Sequence, residues 1–124
     1  MIGYLLSLST MNSKNKGKYG EDLAVSYLQN KGFEIIERNY RHRRGEIDLI
    51  GLLNNELLVF FEVKLRKRDD YGEPESFVSR AQERSIINAA EEYIFGIDWH
   101  KDIRFDIVAI KPGEGIEHIE DAFY

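Results

Sequence analysis

The chain has 124 residues, of which 43% are hydrophobic, and this size and composition fit one domain with its own core. It contains no cysteine, which excludes disulfides and cysteine-ligated zinc and suits a reducing compartment, so we expect a cytoplasmic protein. The formal net charge of −5 argues mildly against nucleic-acid binding, but basic residues are clustered, and their distribution matters more than the sum.

The N-terminal stretch MIGYLLSLST is apolar but too short for a membrane span, which takes about 20 residues. A signal peptide usually opens with a basic region, and the first basic residue here is Lys14. We therefore expect no membrane segment, a loose extension over residues 1–13 and a single domain over residues 14–124.

Hydrophobic periodicity then predicts the elements in chain order. Residues 17–32 have apolar side chains at helical spacing and end on a glycine stop. A second helix is predicted from a capping box formed by Ser79 and Gln82 to about Phe95. Its predicted inward stripe consists of Gln82, Ile86, Ala89, Ala90 and Tyr93. Strands are predicted over 33–40, 45–52, 56–66, 103–110 and 116–124, with a loop over 69–75. The order α-β-β-β-α-β-β indicates an α/β protein of the α+β type, with helices flanking a central mixed sheet.

The second and third predicted strands carry charged residues among apolar ones. Since side chains alternate along a strand, Glu46, Asp48 and Ile50 are predicted to share one face. Glu62 and Lys64 share a face of the third strand, which is otherwise apolar on both faces and is typical of a covered central strand. Buried charges cost several kcal/mol each unless they are paired or bind a metal. Two neighbouring carboxylates with a lysine beside them favour a hard cation such as Mg²⁺ or Mn²⁺ and a water that the lysine orients or deprotonates.

The turn between these strands decides whether the carboxylates can meet. Opposed residues in an antiparallel hairpin have numbers that sum to a constant. A sum of 110 sets Asp48 opposite Glu62 and leaves a three-residue loop. The commoner two-residue loop gives a sum of 109, which sends Glu62 to the other face of the sheet, away from Asp48. We predict the sum of 110, with a positive φ at Asn55 or Glu56 or with a β-bulge. The same register sets Glu46 opposite Lys64.

The pattern of Asp48 followed by Glu62, Val63 and Lys64 resembles the PD-(D/E)XK nuclease signature. Over about residues 14–123 the chain also resembles the YraN-like family of small, endonuclease-like bacterial proteins, in the stretches KGKYGEDLA, NKGFEIIERNYR, GEIDLIG, VFFEVKLR, IRFDIVAI and IEHIEDAF. The first half is similar to archaeal Holliday junction resolvases. These resemblances imply a restriction-endonuclease-like core and an endonuclease that acts on DNA, with branched or flapped DNA among the candidate substrates.

The resemblance also implies roles for individual residues. Asp48 and Glu62 would ligate Mg²⁺ or Mn²⁺ together with the backbone carbonyl of Val63. Lys64 would position the attacking water. Glu21 matches a glutamate of the first helix that joins the metal site in the resolvases, and a solvated helix residue is the alternative interpretation.

Two further positions are auxiliary. Glu46 lies near Asp48 on its strand, and pairing with Lys64 is a simpler role for it than metal ligation. Gln82 stands where the family often has a lysine, which weakens phosphate binding there, although Arg80 and Arg84 are close in sequence.

Basic clusters flank the site strands, and we predict a nucleic-acid-binding face. Its residues would be Arg41, Arg43, Arg44, Arg66 and Arg68. We therefore expect DNA as the partner and no association with a membrane. The sequence leaves open whether the chain is a monomer or a homodimer.

Other interpretations stay open. Asp48, Glu62 and Lys64 could form a structural ion-pair cluster, and the domain could be a non-catalytic nucleic-acid-binding or protein-docking module on a nuclease fold.

Several polar and aromatic residues are predicted to lie outside the site. Asp106 is expected to pair with Arg104 or to cap a strand end. The histidines have no metal-ligand spacing and are expected at the surface or in turns; they are His42, His100 and His118. Tyr93 and Trp99 are expected to pack in the core or in a lid rather than to form base-stacking platforms.

Overall fold

The described residues form seven elements in the predicted order α-β-β-β-α-β-β. A computed structural model describes residues 13–43, 45–66 and 78–124, with side chains from residue 17 onward. The elements are α1 (Ser13–Asn30), β1 (Phe33–His42), β2 (Gly45–Leu53), β3 (Leu57–Leu65), α2 (Arg80–Ile97), β4 (Asp102–Lys111) and β5 (Gly115–Ile119). The predicted extension, except for Ser13, lies outside the described residues, as do Arg44, Arg68 and the predicted loop over 69–75.

The sheet is mixed, as predicted, with strand order β1-β2-β3-β4-β5. β3 pairs in parallel with β4, and all other neighbours are antiparallel. A parallel pair needs a crossover connection, which α2 supplies. β3 is therefore the central strand, with one helix on each face. Among the described ranges, no helix is both long and apolar enough to cross a membrane.

Two apolar clusters hold the helices onto the sheet. The first cluster joins α1 to one face and includes Ala24, Leu28, Leu49, Val59 and Phe61. The second joins α2 to the other face and includes Ile47, Ile50, Leu58, Phe60 and Ile86. The prediction that β3 is covered on both faces is thus confirmed.

The capping box of α2 is present. Gln82 donates its backbone N–H to Ser79 Oγ at 3.1 Å and accepts the Ser79 N–H on its side-chain oxygen at 3.0 Å. Ile86, Ala89 and Ala90 are buried as predicted, but Gln82 is exposed. Its place on the inward stripe was therefore wrong, because a side chain that folds back to the helix start cannot also point into the core.

The hairpin register matches the prediction that brings the carboxylates together. Leu53 pairs with Leu57 and Leu49 pairs with Phe61, so opposed numbers sum to 110 and the loop has three residues, 54–56. Asn55 has φ 58°, as predicted, and Asn54 has φ 53° as well. A hydrogen bond of 3.0 Å from the Glu56 amide to the Leu53 carbonyl closes the turn.

The alternation of faces in β2 breaks at Asp48. Leu49 packs on the α1 side, whereas both Ile47 and Ile50 pack on the α2 side. Arg38 pairs with Leu49 and Tyr40 with Ile47, so Asn39 between them lies across from Asp48. Asn39 has a left-handed φ of 53°. The prediction that Asp48 and Ile50 share a face is therefore wrong, because the strand pair is irregular at this point.

The predicted last strand is also too long. β5 ends at Ile119, and Asp121 adopts a left-handed φ of 53°. The Ala122 N–H donates to the Phe105 carbonyl at 2.7 Å, so the C-terminal residues fold back onto β4.

A buried carboxylate, that of Asp106, holds this end of the chain in place. Arg104 donates two hydrogen bonds of 2.8 Å to it, as the predicted pairing requires, and the Asp121 amide donates one of 3.0 Å. Burial alone would raise the pKa of Asp106, but hydrogen bonds from His118, Arg104 and Asp121 outweigh it and lower that pKa.

His118 belongs to this network, so its predicted surface position was wrong: its side chain is 1% exposed. Its Nδ1 lies 2.6 Å from Lys31 Nζ and its Nε2 lies 2.7 Å from Asp106 Oδ2. Because an ammonium group can only donate, Nδ1 is assigned as the acceptor and Nε2–H as the donor to Asp106. His118 thus links the turn after α1 to β4 through two polar contacts.

We predict that Asp106→Asn lowers the free energy of unfolding at pH 7 by about 3–5 kcal/mol, because it leaves Arg104 and His118 without their anion. Because the folded pKa of Asp106 lies below its ordinary value of 3.8, the stabilisation is present above pH 3.8 and is lost as the pH falls through the folded value. Urea denaturation at several pH values measures this. Asp102→Asn, at an exposed position of the same strand, is the control and should change little. Equal stability of the two variants at pH 7 would contradict the prediction.

Candidate active site

The candidate site lies where β2 and β3 separate. Their pairing ends at Leu49 and Phe61. Just beyond it, the amide of Val63, two residues after Phe61, donates a hydrogen bond of 2.7 Å to Oδ2 of Asp48, the residue before Leu49. A buried amide needs an acceptor, and here a carboxylate replaces the carbonyl of a neighbouring strand. The backbone of β3 therefore fixes the carboxylate of Asp48 at the end of the paired region.

Asp48 faces a cavity of about 640 Å³ on the α1 side of the sheet. Its charged and polar walls are Lys18, Glu21, Arg38, Asn39, Arg41 and Asp48. Glu62 and Lys64 are not among the described lining residues. Strand alternation from the buried Phe60 directs both towards the α2 side. The site thus spans the end of the sheet, where its two faces meet.

Glu21 reaches the cavity from α1, as its predicted role requires. Its side chain is only 14% exposed, and its Oε1 accepts hydrogen bonds from Arg38 Nε at 2.9 Å and Asn39 Nδ2 at 3.0 Å. Arg38 also pairs with Asp22. The interpretation of Glu21 as a freely solvated helix residue is therefore wrong, while its role as a metal ligand stays a prediction.

The two central carboxylates share an environment that disfavours negative charge. Burial raises the pKa of Asp48 to about 6, and the charges of Glu46 and Glu21 add to the effect against the hydrogen bond from Val63. Burial raises the pKa of Glu62 to about 7, and the charge of Asp48 is the next largest cause. The two groups are therefore close enough to repel each other. The predicted direct pairing of Asp48 with Glu62 on one face is not present, because the β2–β3 ladder ends at Leu49 and Phe61 and the two side chains turn to different faces.

The ion pairs formed by Glu62 and Glu46 differ from the prediction. Lys64 Nζ lies 3.5 Å from Glu62 Oε1, whereas Glu46 forms its ion pair with Arg41 at 3.6 Å. The predicted pairing of Glu46 with Lys64 is wrong because the strands have separated before that position. Lys64 is 25% exposed and remains accessible to a small molecule.

The remaining predicted residues are only partly gathered here. Arg41 lines the cavity, and Arg43 lies at the turn between β1 and β2. Arg66 follows β3 directly and donates its amide to the Ile110 carbonyl at 2.8 Å. Gln82 is exposed and engaged in its helix cap.

Sequence reasoning did not single out Lys18, Arg38 and Asn39, which also line the cavity. The pair Arg38–Asn39 within a predicted strand was a usable signal, because asparagine is unfavourable in strands and tolerates left-handed backbone.

The donor set fits a hard divalent cation. In the described ranges no three His, Cys, Asp or Glu side chains converge on one point. Asp48 and Glu62 nevertheless supply two oxygen donors whose pKa values are raised by burial and mutual repulsion, and a bound cation relieves both. Asp48 and Glu62 are thus the residues that would hold Mg²⁺ or Mn²⁺.

A protein-family model described as uncharacterised protein family UPF0102 matches residues 20–110. The chain belongs to this family. A UPF0102 protein of Flavobacterium psychrophilum is 44% identical over 111 residues, which cover 87% of this chain and 92% of the relative. One of Rhodococcus opacus is 46% identical over 112 residues, covering 86% and 94%.

The predicted YraN-like membership is confirmed, since UPF0102 and the YraN family are the same family. The five-stranded mixed sheet flanked by two helices is consistent with a restriction-endonuclease-like core. The names of these UPF0102 relatives state the family and no activity.

We predict that Glu62→Gln stabilises the protein at pH 8 by about 3 kcal/mol when divalent cations are removed with EDTA, because the folded pKa of about 7 exceeds the ordinary 4.5. The penalty on the charged form is absent below pH 4.5 and grows as the pH rises to about 7. Urea denaturation at pH 4 and pH 8 measures the difference. Glu34→Gln, at an exposed position of β1, is the control. A variant that is no more stable than wild type at pH 8 would show that Glu62 carries no buried charge.

Proposed function

We propose that the protein is a metal-dependent endonuclease that hydrolyses phosphodiester bonds in DNA. The observation that carries the proposal is a partly buried pair of carboxylates with raised pKa values, Asp48 and Glu62, beside the amine of Lys64. Raised pKa values in a cleft are typical of functional sites. The proposal includes a cytoplasmic location, since bacterial DNA lies in that compartment.

The residues of the chain divide the work by position. Lys64, held at 3.5 Å from Glu62, orients or deprotonates the attacking water. Lys18 and Arg41 on the cavity wall attract the phosphate backbone. Arg38 and Asn39 hold Glu21 at the cavity as an auxiliary acidic group. A bound Mg²⁺ or Mn²⁺ would stabilise negative charge on the phosphate oxygens.

The cation has an effect on stability that can be measured without substrate. We predict that Mn²⁺ or Mg²⁺ raises the melting temperature of the wild type, because a ligand at 100 times its dissociation constant stabilises the fold by about 2.7 kcal/mol. Asp48→Ala should abolish the shift, and Glu34→Gln should retain it. Thermal unfolding in a cation titration tests this. An equal shift in Asp48→Ala and wild type would assign the cation to another place.

Catalysis itself is tested by substitution. We predict that Asp48→Ala, Glu62→Ala and Lys64→Ala each abolish cleavage while circular dichroism remains that of the wild type, because the three side chains act as a unit. The substrates are duplex, single-stranded, flap and four-way-junction DNA with Mg²⁺ or Mn²⁺. Lys101→Ala, at a lysine that contacts the far end of the hairpin, is the matched control for Lys64 and should cleave normally. Wild-type cleavage by all three site variants would remove the assignment.

A second candidate function is a non-catalytic DNA-binding or protein-docking module. The observation in its favour is that Glu21 already uses one oxygen to hold Arg38 and Asn39. Such a module would show no cleavage of any of the four substrates by the wild type.

A further inference from the structure

A second cavity lies on the opposite face of the sheet, between the β1–β2 turn and the first half of α2. Its volume is about 710 Å³. The side chains that can contact a ligand are mostly donors, namely His42, Arg43, Arg84 and Asn88, with Glu92 as the acidic lining residue among those described. Among the described residues, none that lines the candidate active-site cavity also lines this second cavity.

The two guanidinium groups are uncommitted in the described part of the chain. Arg38 and Arg104 each bind two carboxylates, whereas Arg43 and Arg84 form no ion pair with any described residue. His42 adds a further donor or acceptor, since its Nε2 is buried and has no hydrogen-bond partner among the described residues. This nitrogen lies 3.4 Å from Glu92 Oε1, which is within ion-pair distance. The cavity thus has unsatisfied capacity for an anion.

The turn between β1 and β2 has a strained backbone conformation. His42 and Gly45 pair directly, so two residues connect the strands, and Arg43 has φ 54°. Two-residue hairpin turns favour Asn-Gly because those residues enter the left-handed region without steric strain. An arginine at this position is therefore a signal of function rather than of folding.

Gly45 fixes the turn against the helix. A Cβ atom there would lie 2.7 Å from the Ser85 carbonyl oxygen and 2.8 Å from the Ala89 Cβ, distances that no real side chain tolerates. Only glycine allows this close approach, and the approach brings Arg43 to the wall that Arg84 also lines.

We propose that this second cavity binds a phosphate group of DNA away from the bond that is cleaved. Guanidinium groups bind phosphate through paired N–H donors, and His42 and Asn88 complete the set. The phosphate is either an internal diester or a terminal monoester, which share this chemistry. The choice of DNA as ligand rests on the proposed function.

The turn connects the two cavities. Arg41 lines the candidate active site, and the next two residues, His42 and Arg43, line the second cavity. DNA that engages both cavities therefore crosses the sheet edge at this turn and places phosphates on both faces.

The test measures DNA binding without cleavage. Fluorescence anisotropy of a 3′-labelled duplex is recorded in EDTA over a range of NaCl concentrations, with a 5′-phosphate in one arm and a 5′-hydroxyl in the other. The variants are Arg43→Asn, Arg84→Gln and the double variant. Arg80→Gln, an exposed arginine of the same helix outside the cavity, is the matched control.

We expect each cavity variant to weaken binding and to reduce the slope of log K against log [NaCl] by about 1, and the double variant by about 2. Arg80→Gln should bind like the wild type. Arg43→Asn should melt at or above the wild-type temperature, because asparagine tolerates the left-handed turn, and this separates lost binding from lost folding. A preference of the wild type for the 5′-phosphate arm that disappears in the variants identifies a terminal phosphate. Equal losses in both arms identify an internal one.

The proposal would be overturned if the double variant kept the wild-type affinity and the wild-type slope of log K against log [NaCl]. It would also be overturned if the wild type bound neither duplex at low salt. Failure of the nuclease assignment looks different: the wild type would cleave nothing with Mg²⁺ or Mn²⁺, while the cavity variants would still lose binding in EDTA.

Discussion

The hydrogen bond from the Val63 amide to the Asp48 carboxylate is the interaction on which the candidate site depends. β2 and β3 must separate for a cavity to open at their ends, and separation leaves a backbone N–H without its ladder partner. A side-chain carboxylate satisfies that group and is itself fixed by it. The same bond favours the charged form of Asp48, while burial and the neighbouring carboxylates oppose it. A bound cation would therefore offset the unfavourable burial and repulsion of these carboxylates.

Much of the architecture follows from local rules. The capping box fixes the start of α2, and the charge pattern of the hairpin requires the register of 110. That register could be predicted because a shift of one residue sends every side chain to the other face. The predicted order of elements holds for the same reason, since each segment has a clear period of two or of 3.6 residues.

The errors arise where a long-range contact overrides a local one. His118 is buried because Asp106 and Lys31, both distant in sequence, hold its two ring nitrogens. The break in alternation at Asp48 reflects the left-handed Asn39 on the neighbouring strand, which a single-strand pattern does not contain. Gln82 illustrates a different error. The capping rule placed it at the helix start and the periodicity rule placed it in the core. The hydrogen bond that its side-chain oxygen accepts from the Ser79 amide excludes the core position.

The parallel pairing of β3 with β4 has a consequence for how the molecule folds. Asp48, Glu62 and Lys64 all belong to one hairpin, whose strands are joined by three residues, so their contacts are local in sequence. The contact of Phe61 with Asp106, by contrast, requires the whole crossover through α2 to close first. Local contacts form quickly, and non-local strand pairing is slow. We therefore expect the hairpin that carries the acidic residues to form before β4 pairs with β3, so the burial of Glu62 beside Ile107 falls on the late stage of folding.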